Sequence, residues 1–187
     1  MKGGTMKKAL ILTVCIFLFS GCATTSMLAP DRKPDLTPRN DSSTLVIIRD
    51  TFLGTGIVFW NYLDGKLIGE TKGKTYFVTK VKPGPHYVVV TTENTAVAHI
   101  NFELGKIYYL REGVTVGWWR ARTTGFSPLN PQEAMEAMNN CTYWEYDPKL
   151  GGEDMDPKLY QQAIADYHAE VKQNPAGFKD MLEYKGY

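Results

Sequence analysis

The side chains able to do chemistry are few and scattered along these 187 residues, which hold three cysteines and three histidines. A cysteine acts as a nucleophile or ligand only as thiolate, and that needs a cation, a helix N-terminus or a metal close by. Asn139, Asn140, Thr142 and Tyr143 bring no positive charge to Cys141. It reads as a buried, inert thiol, with an intermolecular disulfide as the second use. His86 lies beside Pro83-Gly84-Pro85, His99 on the polar face of an alternating segment, and His168 next to a helical stripe. No His-x-x-x-His or Cys-x-x-Cys spacing supports zinc, and no Gly-x-Ser-x-Gly elbow is present. Gly54-Thr55-Gly56 lacks the Gly-Lys-Ser/Thr continuation of a phosphate loop and reads as a turn. The sequence therefore gives no catalytic residue, no metal ligand and no cofactor. An enzyme with dispersed active-site residues, centred on Cys141, is the minor alternative.

Aromatic side chains are the other candidates. They cluster at Trp118-Trp119-Arg120 and Tyr143-Trp144-Glu145-Tyr146. Neighbouring strand residues face opposite ways, so one of Trp118 and Trp119 is expected to be exposed unless a tail covers it. Trp119, Tyr143 and Trp144 are thus candidate binding residues, able to stack on sugar rings or to form a protein interface. The competing expectation is that they join the core to the tail.

A different chemistry attaches to Cys22. Lys2, Lys7 and Lys8 form a basic start, with Met6 a second plausible initiator, and Ala9 to Phe19 is an apolar run. That run is too short for a spanning helix, which needs about 20 apolar residues, and fits the core of a signal peptide. Phe19-Ser20-Gly21-Cys22 resembles the lipobox of bacterial lipoproteins, with Phe19 in place of the commoner leucine. The resemblance implies a signal peptide over 1–21, cleavage before Cys22 and lipidation (palmitate) of that cysteine. Each buried methylene adds about 0.8 kcal/mol, so two or three chains hold firmly. Ala23, where aspartate would favour inner-membrane retention, leans toward the outer membrane, facing the periplasm. With Cys15 removed and Cys22 acylated, Cys141 alone remains, so no intrachain disulfide can form.

Charge argues against a nucleic-acid partner. Of 21 basic residues three precede Cys22, leaving 18 against 20 acidic ones, a balance near −2. No basic excess is left to neutralise phosphates.

The elements that must position these residues are mostly strands. Residues 22–43 carry Pro30, Pro34 and Pro38 and read as a flexible tether, with a reach of roughly 65–70 Å when extended. Short β-branched or alternating runs follow at Thr44–Arg49, Ile57–Leu63, Lys66–Gly69, Thr75–Val81, His86–Thr92, Ala96–Phe102, Ile107–Arg111 and Val114–Thr123. Asp64-Gly65 between two of them is a strong hairpin signal. In Ala96–Phe102, Ala98, Ile100 and Phe102 share one face. The pattern predicts a mainly β domain over 44–130, an antiparallel β-sandwich of about seven to eight short strands. Residues 131–187 read as a helical extension. Asn130-Pro131 with Glu133 predicts one helix through a capping box, and Asp156-Pro157 starts a second that ends at Asn174-Pro175. Tyr160, Ala163, Ile164, Tyr167 and Val171 form the second helix's apolar stripe, which is expected to dock on the β domain.

On these residues a family resemblance rests. Asp64-Gly65 with Gly69, Val81-Lys-Pro-Gly-Pro-His86 with Val88 to Val90, and Gly105-Lys-Ile-Tyr-Tyr-Leu-Arg111 resemble the lipoprotein family known as domain of unknown function 2846 over about 44 to 130. The first two parts also resemble PEGA-type surface modules, which are small β-sandwich units. These motifs are turns and core alternation, and no catalytic residue comes with them. The expectation is an anchored, non-catalytic binding or structural module. Its partners would be the membrane through Cys22 and an envelope protein; the alternative is glycan or peptidoglycan binding.

Overall fold

A computed structural model describes residues 25–118 and 121–187. Cys22, the signal segment and Trp119 lie outside these residues. The described strands are β1 (Met27–Leu28), β2 (Ser43–Arg49), β3 (Phe59–Leu63), β4 (Lys66–Thr71), β5 (Thr75–Val81), β6 (Gly84–Thr91), β7 (Thr95–Phe102), β8 (Ile107–Val116), β9 (Ala121–Pro128) and β10 (Thr142–Tyr146). They form two sheets, one ordered β1-β10-β5-β2-β8-β9 and one ordered β4-β3-β6-β7. The tail supplies helices α1 (Pro131–Asn139), α2 (Pro157–Gln173) and α3 (Lys179–Leu182), with 3₁₀ turns at Pro148–Leu150 and Pro175–Phe178.

The sandwich is mainly β, as expected, with two differences. Two pairings are parallel, β2 with β8 and β10 with β5. The described strands number ten, because the tail and the supposed tether each add one to the large sheet. The expected strand Val114–Thr123 is in fact the two arms of a hairpin, β8 and β9. Trp118 sits at its turn, 87% exposed, and not on a strand.

Local signals account for the elements. Asp64 and Gly65 have φ of 51° and 83°, the doubly positive turn whose twist matches its flanking strands. Asn130 caps α1 and Glu133 returns the bond, so the capping box is formed, and Asp156 caps α2. Gly69 has a packing reason: a Cβ there would lie 2.9 Å from the Phe77 ring, so only glycine lets that ring rest on β4.

The layers explain the burial. Leu45 and Ile47 of β2, Phe77 of β5, Val88 of β6, Ile100 and Phe102 of β7, and Leu110 of β8 fill the space between the sheets. On the outer face of the large sheet Val46, Ile48, Tyr76 and Tyr109 meet Ala134, Ala137 and Met138 of α1. On the outer face of the small sheet Tyr62, Leu67 and Val89 meet Tyr160 of α2. Both faces of β2 are covered, so all seven of its residues are buried and it reads as a continuous apolar run. Ala98, Ile100 and Phe102 are buried as their alternation predicts. The stripe of α2 docks on the chain's own β7 through Ala163 and Tyr167. His99 is not a free polar-face residue, since its ring stacks on Tyr87 at 4.5 Å.

Residues 25–43 differ most from expectation. Instead of standing clear as a tether they run along the sandwich. Met27 pairs with Tyr146, Arg32 reaches Glu145 at 2.6 Å, and Leu36 packs beside α1. Among the described residues no helix is long and apolar enough to cross a membrane.

Candidate functional site

β10 decides where the predicted aromatic residues go. A strand sends alternate side chains to opposite faces, so Tyr143 and Trp144 separate. Trp144 packs inward against the inter-sheet core, with the Lys72 ammonium 5.8 Å from its ring. Tyr143 points outward, its ring 5.4 Å from that of Tyr76. Trp144 therefore does not share a face with Tyr143.

Tyr143 lies in an open cleft of about 790 Å³ between the 30–36 segment and α1. Tyr76, Tyr109, Tyr143 and Met138 line it, with Arg32, Lys33 and Asn139 at its polar margin and Met135 exposed beside them. The size suits a small ligand or a short extended chain. Cys141 also lines it, but burial, followed by the Asp50 charge, pushes this thiol up to about 11. That shift favours the thiol over the thiolate at neutral pH, and the sulfur lies 3.8 Å from the Arg49 carbonyl. The cleft can bind through ring faces, sulfur contacts and cationic hydrogen bonds.

A second cleft, about 500 Å³, lies between β7, β9 and α2. Asn94 on its wall already serves the fold, donating to the Thr123 carbonyl at 2.9 Å and accepting from the Thr123 amide at 3.0 Å.

The histidines do not converge on a reaction centre. His86 closes the β3–β4 hairpin, with Nδ1 2.5 Å from Asp64 Oδ2 and Nε2 2.9 Å from the Lys82 carbonyl. His168 Nε2 is 2.9 Å from the Tyr87 hydroxyl, tying α2 to β6. Burial, then the nearby His168 charge, holds His99 below the usual imidazole range. Among the described residues no group of three His, Cys, Asp or Glu side chains could hold a metal.

One polar cluster went unseen in the sequence. Arg49, Asn61, Thr71 and Glu112 are buried together between the sheets. Arg49 Nη1 donates to the Ile57 carbonyl at 2.7 Å and Nη2 to those of Leu53 and Gly54 at 3.1 and 2.7 Å, with the guanidinium 3.9 Å from the Phe59 ring centre. Asn61 donates to Glu112 at 2.7 Å, and Thr71 donates to its other oxygen. Alternation offered a signal, since Leu45, Ile47 and Arg49 share a face, as do Tyr108, Leu110 and Glu112. Burial dominates at Glu112 and pushes its carboxyl from 4.5 up to about 7, against the bonds from Thr71 and Asn61 and the Arg49 charge. Between these values the folded state keeps a proton that the unfolded chain has released. The Glu112 contribution to stability should therefore be full below about pH 4.5 and fall by up to about 1.4 kcal/mol per pH unit until about pH 7. Glu112→Gln should flatten this slope. Urea midpoints of both proteins from pH 4 to 8 check it, and parallel curves would refute it.

Together these features define a two-sheet β protein whose outer faces are covered by its own tail and which carries an open cleft lined by aromatic rings. The chain belongs to the family described as "Protein of unknown function (DUF2846)", whose model matches residues 39–125. An uncharacterized protein of Haemophilus influenzae is 33% identical over 119 residues, covering 59% of this chain and 70% of that protein. No solved structure matches.

Proposed function

We propose that this chain is a lipid-anchored module of the bacterial envelope, held through Cys22 on the outer membrane and facing the periplasm, which binds another envelope component without catalysing a reaction. The observation that carries the binding role is the open cleft floored by Tyr76 and Tyr143. Its one thiol is held protonated, which supports recognition over covalent chemistry. The lipobox at Phe19–Cys22 supports the anchor. Glycan or peptidoglycan binding is the second reading. Two tilted tyrosine rings suit sugar faces, and Lys33 at the margin suits a carboxylate.

The test places a photo-crosslinking aromatic residue at Tyr143 in cells, with Leu104 as the exposed control. A discrete product from position 143 and none from 104 is expected. Recovery of muropeptide selects the glycan reading, and recovery of protein the leading one. Equal labelling at both positions overturns the cleft as the binding surface. With the component in hand, Tyr143→Ala should weaken its binding about tenfold, equivalent to ~1.4 kcal/mol, with the folded state intact.

A further inference from the structure

We propose that the face surrounding Ser26 lies directly against the phospholipid surface that holds the anchor, an inference that rests on acylation of Cys22. Ser26 is 3% exposed and fixed from several sides. Its hydroxyl donates to Glu70 Oε1 at 2.5 Å, its amide to the same oxygen at 3.3 Å, and Thr25 donates to Oε2 at 2.9 Å. The Glu70 amide donates to the Met27 sulfur at 3.2 Å, and the Asp147 amide to the Ser26 carbonyl at 2.8 Å. Glu70 is itself buried in β4, so this point cannot lift away without breaking the fold.

Whatever path the backbone takes between Cys22 and Ser26, four residue steps span at most about 14 Å. The leash is shorter than the sandwich is long, because β7 alone has eight residues and a strand of that length runs about 26 Å. One face must then rest on the headgroups. The residues nearest Ser26 are β1 and the 147–152 segment: a Cβ on Gly152 would lie 3.4 Å from the Ser26 hydroxyl. Each presents a large apolar side chain to solvent, Leu28 and Leu150, both 47% exposed. Charges there are mixed. Arg32 pairs with Glu145, and Lys149 has Asp147 and Glu153 near it in the chain. The contact is therefore apolar and interfacial, without selection for anionic lipid.

The full chain, matured in cells and reconstituted in phosphatidylethanolamine–phosphatidylglycerol vesicles, tests this in a Cys141→Ser background. An environment-sensitive fluorophore is placed through Leu28→Cys, Leu150→Cys or Val116→Cys. Val116 is an apt control, being 76% exposed and equally apolar. It sits at the opposite end of the large sheet, since β8 runs parallel to β2, whereas β10 and β5 bring Tyr146 toward the start of β2. Quenching by headgroup-proximal nitroxide lipids should be at least threefold stronger at 28 and 150 than at 116. It should change little when phosphatidylglycerol is halved. A spacer of 20 Gly and Ser residues after Ala23 should bring the three positions level. Equal quenching at all three in the acylated wild type overturns the proposal, as does quenching that ignores the spacer. Intact mass shows separately whether Cys22 is acylated, and an unmodified Cys22 overturns the anchor reading and the proposal with it.

Discussion

Replacing Arg49 by alanine is expected to cost about 3–5 kcal/mol, the range for removing one partner from a buried charged cluster. The guanidinium is fully buried, and it organises the 50–57 loop by donating to the carbonyls of Leu53, Gly54 and Ile57. Alanine leaves these acceptors without their donor, removes the stacking on Phe59, and strips Glu112 of the nearby positive charge. The last loss carries a pH signature. At pH 5 Glu112 holds its proton and needs no compensation, whereas at pH 8 its charge would stand alone. The penalty should thus be larger at pH 8 than at pH 5, and Glu112→Gln in the same chain should remove the difference. Urea unfolding of the single and double variants at both pH values measures this. A cost under about 1 kcal/mol, or one independent of pH, would refute the role given to Arg49.

The second large effect concerns the tail. Ending the chain after Asp147 removes Tyr167 and Met181, both buried, and Tyr184, which packs on the inter-sheet core. Burying each side chain of this kind stabilises by about 1.5–3 kcal/mol, so the sum approaches the whole stability of a domain this size. Backbone pairing goes too: Ile107 and Tyr187 exchange amide-to-carbonyl bonds of 2.7 and 2.9 Å. The Tyr184 hydroxyl accepts from the Tyr109 amide at 2.9 Å and donates to the Leu129 carbonyl at 3.3 Å. The truncated chain is expected to show no cooperative thermal transition and to aggregate. Tyr184→Phe, which loses the hydroxyl alone, should remain folded at a cost of about 1–2 kcal/mol. A truncated chain melting within a few degrees of the full one would show that the tail is dispensable.

What could be read from the sequence was local. Asp64-Gly65, the Asn130–Glu133 box and Asp156-Pro157 each fix backbone geometry within a few residues, and each stands where it was expected. Alternation placed Phe102 inside and identified the stripe that docks α2. Long-range pairing was out of reach. β10 is five residues between a helix and a 3₁₀ turn, and only its parallel partner β5, some 70 residues earlier, makes it a strand. The prolines of 30–38 suggested a free tether, yet the segment is held by Glu70, Glu145 and the outer face of the large sheet, none of which is near in sequence. Tyr143 and Trp144 were grouped because they are adjacent, although a period of two already separates them once the strand is known. Arg49 and Glu112 escaped notice because charge suggests solvent, and only the second sheet shows that they are enclosed.

The edge of the large sheet is assembled from segments 119 residues apart, since β1 at Met27 pairs with β10 at Tyr146. This has a consequence for timing. Met27 must find its partner across most of the β domain. Until then β5 presents an unpaired edge, and the Glu70 carboxylate has only part of the shell that finally encloses it. Loop closure over such separations slows folding by orders of magnitude relative to local hairpins. The central strands can pair early, but the segment around Ser26 locks down after them, so the β1–β10 edge of the large sheet closes late in folding.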